Sequence, residues 1–348
     1  MFADRIEGKW IDAFAEVFER CAVKRGDTAA ILSETQSRQL NVHLAELALL
    51  NMGARPFHIV LPSPRNSHPV PVRSTGASEA IGKLAPVLTA LGHAGFVVDC
   101  TVEGLMHAAE TPAILKAGAR ILVISNEHPE ALERMAPDPA LEARVRAAAK
   151  MLRGAKRMTV ASAAGTKLDI DMTGASTVGV WGWTDRPGTL AHWPGGIVVS
   201  FCRSGSVNGT LVLDRGDINL TFKRYLEAPL RLTLQADYVT AIEGVGTDAE
   251  LMRAYLAAWG DREAYAVSHV GFGLNHKARY EALSMYDRQH TNGTELRAVA
   301  GNFLFSTGAN EFAGRYTAGH FDIPVMRTTI AVDGREVIKA GVLQDAFG

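Results

Sequence analysis

The spacing of apolar residues changes character once along this chain, near residue 155, and that change restricts the fold more than any single motif. Before it, helix-period segments alternate with short apolar runs. A periodic stretch at 8–22 precedes "TAAILS" at 28–33, a second fills 38–52, and "PFHIVLP" follows as a strand. Beyond the Pro-, Ser- and Gly-rich loop "SPRNSHPVPVRSTG" the rhythm resumes through "EAIGKLAPVLTAL", "GFVVDC", "AILKAG", "RILVIS" and a helix after Asn126. This alternation predicts a Rossmann-like parallel α/β domain over residues 1–155. A charged helix ends near Gly154, and the pattern then turns to period two. "RMTVASAAGTKLDIDM", "GGIVVSFC", "GTLVLDRGDINLTF", "LRLTLQADYVTAIEG" and "PVMRTTIAVDGREVIKAGVL" alternate around Gly, Asn and Asp turns, with Asp333-Gly334 a strong hairpin signal. The expectation is an α/β chain whose second domain, 156–348, is mainly antiparallel β (α+β), with a helix at 248–260.

A chain of 348 residues has room for two such cores. Its 36 Lys+Arg against 37 Asp+Glu provide no global field for holding nucleic acid or an anionic membrane, so a small-molecule partner is expected. Cys21, Cys100 and Cys202 lie far apart, without metal spacing, and read as reduced, buried thiols. The amphipathic start "FADRIEGKWIDAF" lacks the features of a secretory signal, and no apolar run approaches the ~20 residues of a membrane span. A soluble cytoplasmic protein is expected. The apolar composition and large antiparallel half suggest a homo-oligomer. No strand-turn-helix carries GxGxxG, "SAAGTK" is not a P-loop, and "CRSGS" lacks the GxSxG order, which argues against a nucleotide cofactor and serine-hydrolase chemistry.

The chemistry gathers near "GHFDIPV". In a strand, residues i and i+2 share a face, so His320 and Asp322 would project together while Phe321 and Ile323 point the other way. Such a pair is suited to one metal ion, since a dication offsets the cost of burying a carboxylate and an imidazole. Taken alone, HxD fits a solvated surface loop equally simply. His269 in "YAVSHVGFGLNH", where glycines allow close approach, is the best third ligand, although a core histidine bonded to a carbonyl explains it too. Two histidines and one aspartate match the facial set of mononuclear iron(II), and zinc fits the same donors. His107, just after "GFVVDC", stands where open α/β sheets place ligands, and His192 lies beside Trp193. Each is a candidate general acid or base, and each also suits a structural role.

Several blocks then coincide with a known pattern. "HWPGGIVVSFCRSGSVNGTLVLDRGDINLTFK", "YAVSHVGFGLNHKARY", "AGNFLFSTGAN" and "GHFDIPV", with "VDCTVEGLMH" and "ILKAGARIL", closely resemble the bacterial 2,5-dihydroxypyridine 5,6-dioxygenases. The resemblance implies an O2-dependent ring-opening oxidoreductase with a single Fe(II) on His269, His320 and Asp322. It also implies His107 and His192 as acid-base residues, and Arg297, Ser306 and Trp181 as substrate contacts. Its substrate would be 2,5-dihydroxypyridine, giving N-formylmaleamate, or a closely related hydroxylated N-heterocycle, because Val180 and Trp181 stand where that family has an acidic residue. The implied fold is similar to that of aminopeptidase T type metallopeptidases, which hold two metals. Their ligand positions fall on Ile197, His269 and near Leu304, and two of these are apolar here. A single-metal hydrolase and a non-catalytic binding protein on the same scaffold are the alternatives.

Overall fold

The computed structural model describes residues 5–66, 76–345 and 347; the stretch 67–75 of the predicted Pro-rich loop lies outside the described residues. In chain order the strands of the first half are β1 (Thr28–Glu34), β2 (Arg55–Leu61), β3 (Phe96–Asp99) and β4 (Arg120–Ile124). The helices are α1 (Gly8–Arg20), α2 (Gln39–Asn51), α3 (Ala85–His93), α4 (Thr111–Lys116), α5 (Pro129–Arg134) and α6 (Pro139–Gly154). The third helix starts later than its apolar pattern predicts, because Gly82 and Lys83 take positive φ and Pro86 fits only the first turn.

Strands β1 to β4 pair in parallel. Alternate residues leave on opposite faces: Ala29 and Ile31 pack with α1 and α2, whereas Ala30 and Leu32 pack with Leu91 and Ile114 of α3 and α4. Burial on both faces explains why β1, β3 and β4 read as continuous apolar runs, whereas the edge strand β2 leaves Arg55, His58 and Val60 exposed.

The second half contributes β5 (Arg157–Ala161), β6 (Lys167–Asp171), β7 (Ser176–Val180), β8 (Leu190–Trp193), β9 (Ile197–Phe201), β10 (Val207–Leu213), β11 (Ile218–Asn219), β12 (Arg224–Tyr225), β13 (Leu230–Gln235) and β14 (Tyr238–Gly244). After α7 (Thr247–Ala258) come β15 (Val267–Gly273), α8 (Ala282–Met285), α9 (Thr294–Ala298), β16 (Phe303–Asn310), β17 (Arg315–Val325), β18 (Thr329–Val332), β19 (Arg335–Lys339) and β20 (Val342–Leu343). Eight strands form one antiparallel sheet, ordered β14-β13-β10-β6-β5-β18-β19-β20, and five form another, β17-β16-β15-β9-β7. Asp333 and Gly334 both take positive φ at the β18–β19 turn, as the Asp-Gly signal predicts.

The change of pattern at residue 155 is not a clean seam in the fold. Strand β8 pairs in parallel with β4, so the first sheet reads β2-β1-β3-β4-β8 and takes its edge from the second half. Conversely, Leu141, Val145, Ala148 and Leu152 of α6 belong to the core of the antiparallel half. The strand order reverses between β1 and β3, and crevices for ligands form at the carboxyl ends of strands around such points. No helix among the described residues is long and apolar enough to cross a membrane.

Candidate metal centre

The five-stranded antiparallel sheet has one face in the core and one facing the carboxyl-end loops of the parallel sheet. Along β17, Phe321, Ile323 and Val325 point into the core with Phe303 and Phe305 of β16. Period two therefore sends His320 and Asp322 to the other face, where they sit opposite Gly308 and Ser306. His269 reaches that face through an irregularity. Val267, Val270 and Phe272 of β15 all enter the same core, which a regular alternation forbids. The register slips between Val267 and Val270, so that Ser268 and His269 together span one position of β16. Sequence periodicity has no means of showing this extra residue.

The three side chains converge: their donor atoms lie within 4.8 Å of one another. His269 Nε2 is 3.6 Å from Asp322 Oδ1, and His320 Nε2 is 3.2 Å from Asp322 Oδ2. Arg297 of α9 donates from Nε to Asp322 Oδ2 at 2.6 Å. Asp322 and His269 are both buried. Burial alone would raise the Asp322 pKa, but His320 and Arg297 outweigh it and hold the carboxylate well below its usual range. Burial lowers His269 to about 3 despite the carboxylate beside it, which keeps the imidazole neutral. Two buried atoms of the trio, His269 Nδ1 and Asp322 Oδ1, have no hydrogen-bond partner. Buried polar atoms are rarely left unsatisfied, so an ionised carboxylate and a neutral imidazole with spare lone pairs point to a cation as the missing partner.

The other sequence-predicted residues divide. His107, in the loop after β3, lies with its ring centre 6.4 Å from that of His320; surrounding protein and His320 lower its pKa, although it keeps solvent contact. His192 on β8 is lowered to about 4 by burial and then by Arg297. Ser306 is fully buried, opposite Asp322. Trp181 is not among them. Its ring lies under the Arg146 guanidinium of α6 at 4.1 Å and packs against two cores, away from the cavity lining. A cavity of about 220 Å³ opens beside His320, lined by His107, Phe201, Ser268, Phe312 and Tyr316. Phe201 also meets the His269 ring edge-on at 5.4 Å and Phe312 at 5.2 Å. These aromatics were missed in the sequence because isolated Phe residues in strands normally read as core. Ile197, Val199, Leu304 and Ala298 form an apolar cluster, with Val180 against it, on the same sheet face as the trio.

The arrangement defines a class, an α/β chain whose antiparallel half offers two histidines and a carboxylate for one cation beside a small cavity. The chain belongs to the 2,5-dihydroxypyridine 5,6-dioxygenase family, whose model matches residues 9–345. It is 35% identical over 335 residues to the 2,5-dihydroxypyridine 5,6-dioxygenase of Pseudomonas putida, covering 94% of each. The solved structure of 2,5-dihydroxypyridine dioxygenase from Pseudomonas putida KT2440 superposes with a TM-score of 0.89 at 34% identity, over 97% of both chains. AmpT from Thermus thermophilus shares the fold at a TM-score of 0.64 and 13% identity, covering 96% of this chain and 99% of its own. The family identifies the chain as a dioxygenase, an oxidoreductase.

Proposed function

We infer that this protein is an iron(II)-dependent dioxygenase that opens the ring of 2,5-dihydroxypyridine or a closely related hydroxylated N-heterocycle. The observation that carries the reading is the convergence of His269, His320 and Asp322, with two buried donor atoms left without partners, in a chain of this family. His269, His320 and Asp322 would hold the iron, which when bound supplies open positions for O2 and a ring hydroxyl.

The remaining work falls to the protein's own groups. The buried Asp322 carboxylate stays ionised through His320 and Arg297, so the donor set is ready at neutral pH. His107 and His192, held neutral, accept a proton from a ring hydroxyl as the substrate settles. Ser306 and the Arg297 guanidinium orient ring oxygens, and Phe201 limits water beside His269. The residues that would hold the metal belong to the 156–348 part, with His107 contributed from 1–155. The reading includes a cytoplasmic enzyme and a homo-oligomer, the latter suggested by apolar composition and checked by light scattering of the purified protein.

The test is oxygen consumption by iron(II)-reconstituted protein against a panel of hydroxypyridines, with ring absorbance followed in parallel. Uptake with loss of the ring band is expected. Absence of uptake with every member, or full zinc occupancy with amide turnover, overturns the reading.

A further inference from the structure

The loop after β4 holds a buried carboxylate outside the metal trio. Glu127 is 1% exposed, and among the described residues its carboxylate is held by backbone N–H groups rather than by an ion pair. Its partners are backbone N–H groups of one turn from the other half of the chain. Oε2 accepts from Asn292 N at 2.8 Å; Oε1 accepts from Gly293 N at 2.8 Å, Thr294 N at 2.9 Å and, more loosely, Glu295 N at 3.4 Å. Ser125 reinforces the grip, donating from Oγ to Thr294 Oγ1 at 2.9 Å and accepting from Asn292 Nδ2 at 3.0 Å. Arg134 of α5 then donates from Nη2 to both carboxylate oxygens of Glu295, at 2.7 and 2.9 Å.

The turn so held is the start of α9, which carries Arg297. Gly293 takes φ of +105°, and a Cβ placed there would lie 3.4 Å from Arg297 Nη1, so the guanidinium crosses directly over the clamped turn. From there Arg297 Nε binds Asp322 Oδ2 at 2.6 Å, which leaves Oδ1 as the atom without a partner.

We propose that Glu127 is a positioning residue: by fixing the Asn292–Glu295 turn it sets the Arg297 guanidinium, and through it turns Asp322 so that Oδ1 is presented to the metal. This rests on the trio being the metal site. Charge-assisted bonds to four N–H groups are strong and directional, and a group that orients a ligating carboxylate typically changes metal affinity 10- to 100-fold when altered.

The experiment follows iron(II) release from the loaded protein to a chelator under anaerobic conditions. Four proteins are compared: wild type, Glu127→Gln, Arg297→Met and the double variant. Glu127→Gln is expected to release iron about tenfold faster. In the Arg297→Met background the same change is expected to add nothing, because the effect travels through Arg297. A wild-type release rate in Glu127→Gln, or equal acceleration in both backgrounds, overturns the proposal. If Glu127→Gln fails to fold, Ser125→Ala loosens the same turn more gently and must show the same dependence on Arg297; independence from Arg297 counts against the clamp. A wild type that binds no iron rejects the metal-site reading instead, and the two failures are therefore distinct.

Discussion

Replacing Gly308 by alanine tests whether the site depends on the spacing of β16 and β17. Gly308 sits opposite His320 with φ of +123°, a region that L side chains rarely enter. A Cβ there would lie 2.2 Å from the Gly319 carbonyl oxygen and 3.2 Å from the His320 Cα. An ordinary contact is roughly 3.4 Å, so the backbone of residues 319–320 must retreat by about 1 Å. Holding alanine at this φ costs about 1–3 kcal/mol, and the retreat carries His320 away from Asp322. A displacement of this size at a reacting centre is worth about 100-fold in rate. Gly308→Ala should therefore lose 1–3 kcal/mol of stability in urea unfolding and about 100-fold in kcat measured by oxygen uptake. Gly314, in the same hairpin, has φ of +70° and open space around its missing Cβ, so Gly314→Ala should cost about 1 kcal/mol and leave kcat unchanged. Equal kcat for the two variants would refute the argument that His320 is placed by that close approach.

Asp322→Asn keeps the shape but removes the charge that His320, Arg297 and a cation share; iron content and oxygen uptake should fall together by at least about 100-fold, with far-ultraviolet circular dichroism unchanged. His269 has a folded pKa of about 3 against roughly 6.5 unfolded, so the unfolded chain takes up the proton first and stability falls as pH drops from about 6.5 toward 3. By pH 5 this costs iron-free protein about 2 kcal/mol, and because His107 and His192 add losses of their own, the stability lost between pH 7 and 5 in urea unfolding should be smaller by about that amount in His269→Gln than in wild type. Trp181→Leu removes a ring lying under Arg146 rather than one lining the cavity, so it should destabilise by about 1–2 kcal/mol and leave KM within about twofold.

The sequence carried the parts of the site that depend on period two. His320 and Asp322 share a face because Phe321 and Ile323 must enter the core, and nothing further is needed to place them. His269 is different: its face is decided by an extra residue at Ser268–His269, and a bulge leaves no mark in an apolar pattern. The parallel sheet was legible from its continuous apolar runs, but its fifth strand was not. "LAHW" is four residues at an edge, half-buried, and its partners on β4 lie 69 residues earlier, beyond the reach of local pattern. Glu127 was equally hidden, since a glutamate in "SNEHPE" reads as an ordinary surface acid until the turn it binds is brought to it from residues 292–295.

That the proposed site would hold one cation rather than two follows from what shares the face of the sheet. On β17 the face carries His320 and Asp322, and on β16 it carries Ser306 and Leu304. Toward β9 it becomes Ile197 and Val199, with Val180 of β7 opposite Ile197. Aliphatic side chains offer a cation no lone pair, and desolvating a dication against them without compensating donors is prohibitive. The donor set therefore ends at three side chains, and the apolar wall beside it suits the face of a flat ring better than a second ion. Introducing Ile197→Glu would bury a carboxylate beside Val199 and Leu304. In the proposed reading the wall would therefore leave room for one metal, since Ile197, Val199 and Leu304 are spent on packing.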